Sequence, residues 1–160
     1  MGIDSRSSMS INLYIVRHGK LNTDEKNKDE YLHLSENGKS FSTFLNKQFS
    51  NIYFDHIFYQ SIDVKTSDPY NMCRSTIQGM KGVKTEFNNP QMSKSFEALN
   101  AEGSGVQNVM ICFRAEAYNV LSNIISPRSE EEFNKDYHRV FHYKFSDNNY
   151  LFISKMTAEE

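Results

Sequence analysis

A chain of 160 residues with 18 Lys+Arg against 20 Asp+Glu has a formal charge of −2 with its five histidines neutral, which suits a single domain. A balance this close to neutral, with a pI of about 6.2, excludes the basic excess on which sequence-independent binding to nucleic acid or anionic membrane relies. Cys73 and Cys112 show neither CxxC nor metal-ligand spacing, no run reaches the roughly 18 apolar residues of a membrane span, and the mean hydropathy is −0.64, the profile expected of a soluble cytoplasmic protein.

Residues 1–9 are polar and lack the apolar core of a leader, so they read as a disordered extension or an expression scar ahead of one domain over 10–156. Ile11 to Val16 is a short β-branched and aromatic run that stops at Arg17-His18-Gly19, the pattern of a buried strand feeding a loop. Lys20 to Glu30 is too polar to repay the entropy of packing and is expected to be a loop. Ser35 then offers an N-cap hydroxyl, and Phe41, Phe44, Leu45 and Phe49 fall at helical spacing. Phe54 to Tyr59 predicts a second strand ending at Gln60-Ser61, with the polar stretch to Pro69 as its loop and a helix over Tyr70 to Met80.

Val106 to Phe113 is the next strand, followed by Ala117, Val120, Leu121, Ile124 and Ile125 at helical period until Pro127. Two last strands, Val140 to Phe145 and Tyr150 to Ser154, are expected to pair as a hairpin about Asp147-Asn148-Asn149. Strands alternating with helices predict an α/β fold, a three-layer sandwich with a mostly parallel central sheet and helices on both faces. Ligands in such folds sit beyond the carboxyl ends of the strands, where Arg17-His18-Gly19 falls.

Leu13-Tyr14-Ile15-Val16-Arg17-His18-Gly19 resembles the signature of the histidine phosphatase superfamily, the phosphoglycerate-mutase-like proteins. The likeness continues in order. Leu34-Ser35-Glu36-Asn37-Gly38 is similar to the family's Leu-Thr-x-x-Gly before a helix, and Phe54-Asp55-His56-Ile57 with Ser61 is similar to its Phe-Asp-x-Ile strand and following Ser-Pro-Leu-x-Arg loop. Together these cover roughly the first half of the chain. The resemblance implies phosphoryl transfer through a phosphohistidine, without metal or other cofactor. His18 would be the nucleophile and Arg17 the first phosphate clamp, its planar fork matching two phosphate oxygens. Gly19 would let the backbone pass close to the phosphate, and Asn22 would join the substrate-binding set.

The second half departs from the family's pattern. Where the family has its second arginine stands Lys65, which holds a phosphate only as a point charge; Arg74, in Arg74-Ser75-Thr76, is the alternative clamp. Where the family has its second histidine stands Arg114, a permanent charge that suits phosphate binding but replaces a group contacting the transferred phosphoryl. The general acid is expected to be Glu97 in the loop before that strand. Glu102 shares that loop, Glu116 would face along its helix, and Ala115 cannot serve. His138 and His142 read as surface or edge-strand residues, and Cys112 as a small buried hydrophobe.

Two functions follow from the resemblance. One is a short, open-site phosphatase acting on a phosphate-bearing small molecule or phosphoprotein. The other is a catalytically impaired pseudophosphatase that binds phosphate or a phosphorylated partner. An unrelated flavodoxin-like module would need a Gly-rich or hydroxyl-rich loop after the first strand, where this chain has Lys20-Leu21-Asn22.

Overall fold

The computed structural model describes residues 10–23, 26, 33–61, 70–87, 106–114, 137–146 and 149–158. They form β1 (Ser10–Arg17), α1 (Glu36–Gln48), β2 (Phe54–Gln60), α2 (Met72–Thr76), β3 (Gly82–Phe87), β4 (Val106–Phe113), β5 (Arg139–Ser146) and β6 (Asn149–Thr157). One six-stranded sheet runs β3-β2-β4-β1-β5-β6. Its first four strands are mutually parallel, while β5 is antiparallel to both β1 and β6. This is an α/β sandwich with a mostly parallel central sheet, as the alternation of elements predicts, and the described helices, α1 and α2, pack together on the face of Tyr14 and Val16.

Strand alternation divides the core. Tyr14 and Val16 of β1 and Met110 and Cys112 of β4 pack with Phe41 and Leu45 of α1 and Cys73 of α2. Ile11, Leu13, Ile15, Val109, Ile111 and Phe113 point to the opposite face and are just as buried, which is why β1 and β4 read as continuous apolar runs. Both cysteines are free and buried. No described helix is long and apolar enough to cross a membrane.

α1 begins as the sequence predicts: the Ser35 hydroxyl accepts from the Gly38 N–H at 3.1 Å, and Phe41, Leu45 and Phe49 are buried. The same hydroxyl donates to the Lys20 carbonyl at 3.0 Å, tying the helix start to the loop after β1. The two backbones pass so close that a Cβ on Gly19 would lie 2.7 Å from Gly38 Cα, and one on Gly38 only 2.2 Å from the Lys20 carbonyl oxygen. Both positions therefore require glycine, which explains why Gly19 and the Gly38 that ends Leu34-Ser35-Glu36-Asn37-Gly38 occur together.

Several expectations are corrected. The helix expected over Tyr70 to Met80 is only Met72–Thr76; Asn71 caps it and a turn follows, because the chain must reverse into β3. β3 itself carries no readable apolar period, since Val83, Lys84, Thr85 and Glu86 are all exposed at the sheet's edge. Asn149 lies in β6 opposite Ser146 and is not part of the turn. β5 lies between β1 and β6, so His142 is not on an edge: it is partly buried, stacks on Tyr14 at 4.3 Å, and its Nε2 lies 3.2 Å from Asn12 Oδ1. His138 is not on the surface but 2% exposed, with a left-handed φ of 62° and its ring stacked on Phe41.

Candidate active site

β1 and β4 are adjacent and parallel, with Arg17 opposite Phe113, so the residues that follow them emerge side by side. The His18 N–H bonds the Phe113 carbonyl at 3.2 Å, which sets His18 beside Arg114 at the carboxyl end of the sheet, between strands reached by crossovers in opposite directions. The sheet thus brings Arg17, His18, Gly19 and Arg114 together.

His18 is 5% exposed, and its Nδ1 lies 2.7 Å from the Gly19 carbonyl oxygen. A carbonyl only accepts, so Nδ1 carries the proton and Nε2 keeps its lone pair. Burial holds the imidazole's pKa down to about 4; the Gly19 hydrogen bond opposes this, and the guanidiniums of Arg17 and Arg114 add to it. At neutral pH His18 is a neutral base with a defined tautomer.

The two guanidiniums are unusual in what they leave unused. Among the described residues neither Arg17 Nε nor Arg114 Nε has a hydrogen-bond partner, although both atoms are buried. Unpaired buried donors on cations are costly, and an anion seated between the two groups would satisfy them. Arg17 is held by packing instead: its Cζ sits 4.0 Å from the centroid of the Tyr137 ring, which also approaches the His18 ring at 5.7 Å. Burial lowers the Arg17 pKa, yet an arginine so placed stays charged at neutral pH. The Tyr137 ring covers one face of the guanidinium without using its N–H groups. Tyr137→Phe is therefore expected to retain phosphate affinity, and Tyr137→Leu to weaken it by about fivefold in a titration with inorganic phosphate.

Neighbouring hydrogen bonds stiffen this loop. The Gly19 N–H donates to Thr76 Oγ1 at 3.0 Å, and that hydroxyl donates to the Met72 carbonyl at 2.7 Å. The Lys20 N–H donates to His138 Nε2 at 3.3 Å. Gln60, 2% exposed, accepts the Arg114 N–H on its Oε1 at 2.6 Å, and its carbonyl accepts from Asn71 Nδ2 at 3.0 Å.

Asn22 lies in the same loop, its backbone N–H on the His33 carbonyl at 2.8 Å and its Nδ2 3.5 Å from that of Leu34. Arg74 is exposed and lines a recess with Tyr70, Asn71, Ser75, Gln78 and Lys84. Lys65, Glu97, Glu102 and Glu116, and the helix expected from Ala117 to Ile125, lie outside the described residues. No three described His, Cys, Asp or Glu residues are placed to hold a metal ion. The sequence reading missed Gln60, Thr76 and Tyr137. Gln60 ends β2, where the carboxyl-end rule points, and Thr76 lies in the Arg74-Ser75-Thr76 segment; Tyr137 carries no local signal.

No family model matches the sequence, and no curated protein matches it. Solved structures do resemble the fold. A candidate phosphohistidine phosphatase, SixA, from Nakamurella multipartitia is 12% identical over 94% of this chain and 98% of its own, with a TM-score of 0.62. A phosphoserine phosphatase from Entamoeba histolytica, solved with 3-phosphoglyceric acid, is 13% identical over 93% and 98%, at 0.58. A phosphoglycerate mutase from Bacillus anthracis is 14% identical over 92% and 93%, at 0.57. The chain has the fold of the histidine phosphatase superfamily, the phosphoglycerate-mutase-like proteins.

Proposed function

We propose that this protein hydrolyses phosphate monoesters, on a small molecule or a phosphoprotein of the cytoplasm, through a phosphohistidine at His18. The observation that carries the proposal is a buried, neutral imidazole with Nδ1 protonated and Nε2 free, beside two guanidiniums with unpaired buried donors. The phosphoryl group sits between Arg17 and Arg114, whose N–H groups neutralise its oxygens. Nε2 forms the N–P bond as the P–O bond to the leaving group breaks, and the leaving oxygen takes a proton from a general acid, for which Glu97 is the candidate. Water then attacks phosphorus as the N–P bond breaks, giving a proton back to the carboxylate that served as acid, so inorganic phosphate leaves and the imidazole is neutral again. No metal or other cofactor takes part in this scheme.

Arg114 favours a second reading, a pseudophosphatase that binds phosphate or a phosphorylated partner. A cation that holds ground state and transition state equally well gives affinity without rate. Hydrolysis of an aryl phosphate in metal-free buffer separates the two. The first reading expects turnover by the wild type, abolished in His18→Ala. An inactive wild type with activity appearing in Arg114→His would establish the second.

A further inference from the structure

The loop after β1 is held amide by amide. The His18 N–H goes to the Phe113 carbonyl of β4, the Gly19 N–H to the Thr76 hydroxyl of α2, and the Lys20 N–H to Nε2 of His138, just before β5. The third attachment brings a second one with it. Tyr137, the preceding residue, lays its ring 4.0 Å from Arg17 Cζ. Tyr137 and His138 therefore grip both ends of Arg17-His18-Gly19-Lys20, one by a ring face and the other by a hydrogen bond.

Neither the backbone nor the burial at position 138 calls for a histidine. Its φ of 62° suits glycine or asparagine, and no other non-glycine residue among those described has a positive φ. Its side chain is 2% exposed and stacked on Phe41 at 4.9 Å, a place that suits an apolar group. The Lys20 N–H does call for an imidazole: of the side chain's atoms, only a ring nitrogen that keeps its lone pair accepts, which puts the proton on Nδ1. The corner that aims the ring is itself braced. The His138 carbonyl accepts the Ala158 N–H at 3.0 Å, and Arg139 Nη1 donates to the Tyr137 carbonyl at 3.0 Å. Strained backbone persists where its surroundings over-determine it, and such residues gather at functional sites.

From this juxtaposition we infer that His138 is a positioning residue for the phosphate site: by holding Lys20 and seating Tyr137 on Arg17, it fixes the guanidinium and the His18 ring in the arrangement that receives a phosphoryl group. The inference rests on the phosphate-binding role proposed above. It adds a residue that acts through Arg17 and the loop and touches neither substrate nor the reacting atoms.

The test compares His138→Gln with His138→Asn in the full chain. Glutamine places its amide oxygen as far out as Nε2, whereas asparagine suits the left-handed backbone better but ends one atom short. Both lose the stacked ring, so the difference between them reports the bond to Lys20. The readouts are titration with inorganic phosphate, exchange of the Lys20 amide, and titration of His18 by NMR. We expect His138→Gln to bind phosphate within about twofold of the wild type and His138→Asn to bind it about fivefold more weakly. In His138→Asn the Lys20 amide should exchange about tenfold faster. The His18 pKa, about 4 in the wild type, should rise by about one unit there as the loosened loop admits water to the ring. His138→Gly, which removes the backbone cost together with the acceptor, should match His138→Asn. Equal phosphate affinity in the Gln and Asn variants, or a Lys20 amide and His18 pKa unmoved in His138→Asn, would overturn the positioning role. A wild type that binds no phosphate would overturn the phosphate site instead, and the Lys20 exchange and His18 titration then decide the positioning role on their own.

Discussion

His18→Ala is expected to lower hydrolysis of an aryl phosphate by about 10³-fold or more and to abolish a covalent phosphoenzyme that the wild type accumulates on rapid quenching. On the proposed mechanism, loss of the nucleophile would remove the two-step route and leave only the charge stabilisation assigned to Arg17 and Arg114. The adduct should be labile in acid and stable in alkali, as an N–P bond is and a phosphoserine is not. Its position follows from geometry: Nδ1 is committed to the Gly19 carbonyl at 2.7 Å, so phosphorus attaches at Nε2. The pH profile is a second readout. With the His18 pKa held to about 4, kcat/KM divided by the dianion fraction of the substrate should stay level down to about pH 5, where an ordinary imidazole would already have lost most of its free base. Phosphate attached elsewhere, or an unaltered phosphoenzyme in His18→Ala, would remove His18 from the chemistry.

The half of this site that lies on strand ends was legible in the sequence, and the reason is physical. β1 and β4 are buried on both faces, so their apolar runs are continuous and their ends abrupt; Arg17, His18 and Arg114 stand where the apolar runs stop. The Ser35 cap and the apolar stripe of α1 are local signals too, and both survive in the fold. What failed depends on contacts between distant segments. β3 is an exposed edge whose only deeply buried side chain is Phe87, so no alternation marks it. α2 has five residues, fewer than two turns, and its extent is set by the reversal into β3. Tyr137 reaches Arg17, and His138 reaches Lys20, across more than a hundred residues of chain, through a left-handed backbone at His138 that nothing in the local sequence announces. Gln60 was readable as a strand end; its bond to the Arg114 N–H was not.

Keeping His18 uncharged should cost the protein stability in acid. The native imidazole has a pKa of about 4 against the ordinary 6.5, so between these values the unfolded chain binds a proton that the native one does not. Stability therefore rises with pH through this window, is complete above about pH 6.5, and falls by about 3 kcal/mol as pH drops to about 4. His142, whose pKa is also lowered by burial and by Lys144, acts in the same direction, so the comparison is made in a His142→Asn background. Denaturant melts at several pH values should show the full slope there and a slope reduced by about 3 kcal/mol when His18→Gln is added, since glutamine keeps an N–H for the Gly19 carbonyl but does not titrate. Sulfate, which stays divalent across this range, sharpens the test. Bound between Arg17 and Arg114, it offsets the charges that disfavour the imidazolium and raises the His18 pKa, so its stabilisation of the protein should grow as pH falls and should be independent of pH in the His18→Gln variant. A sulfate effect with the same pH dependence in both proteins would mean that the anion does not bind beside His18.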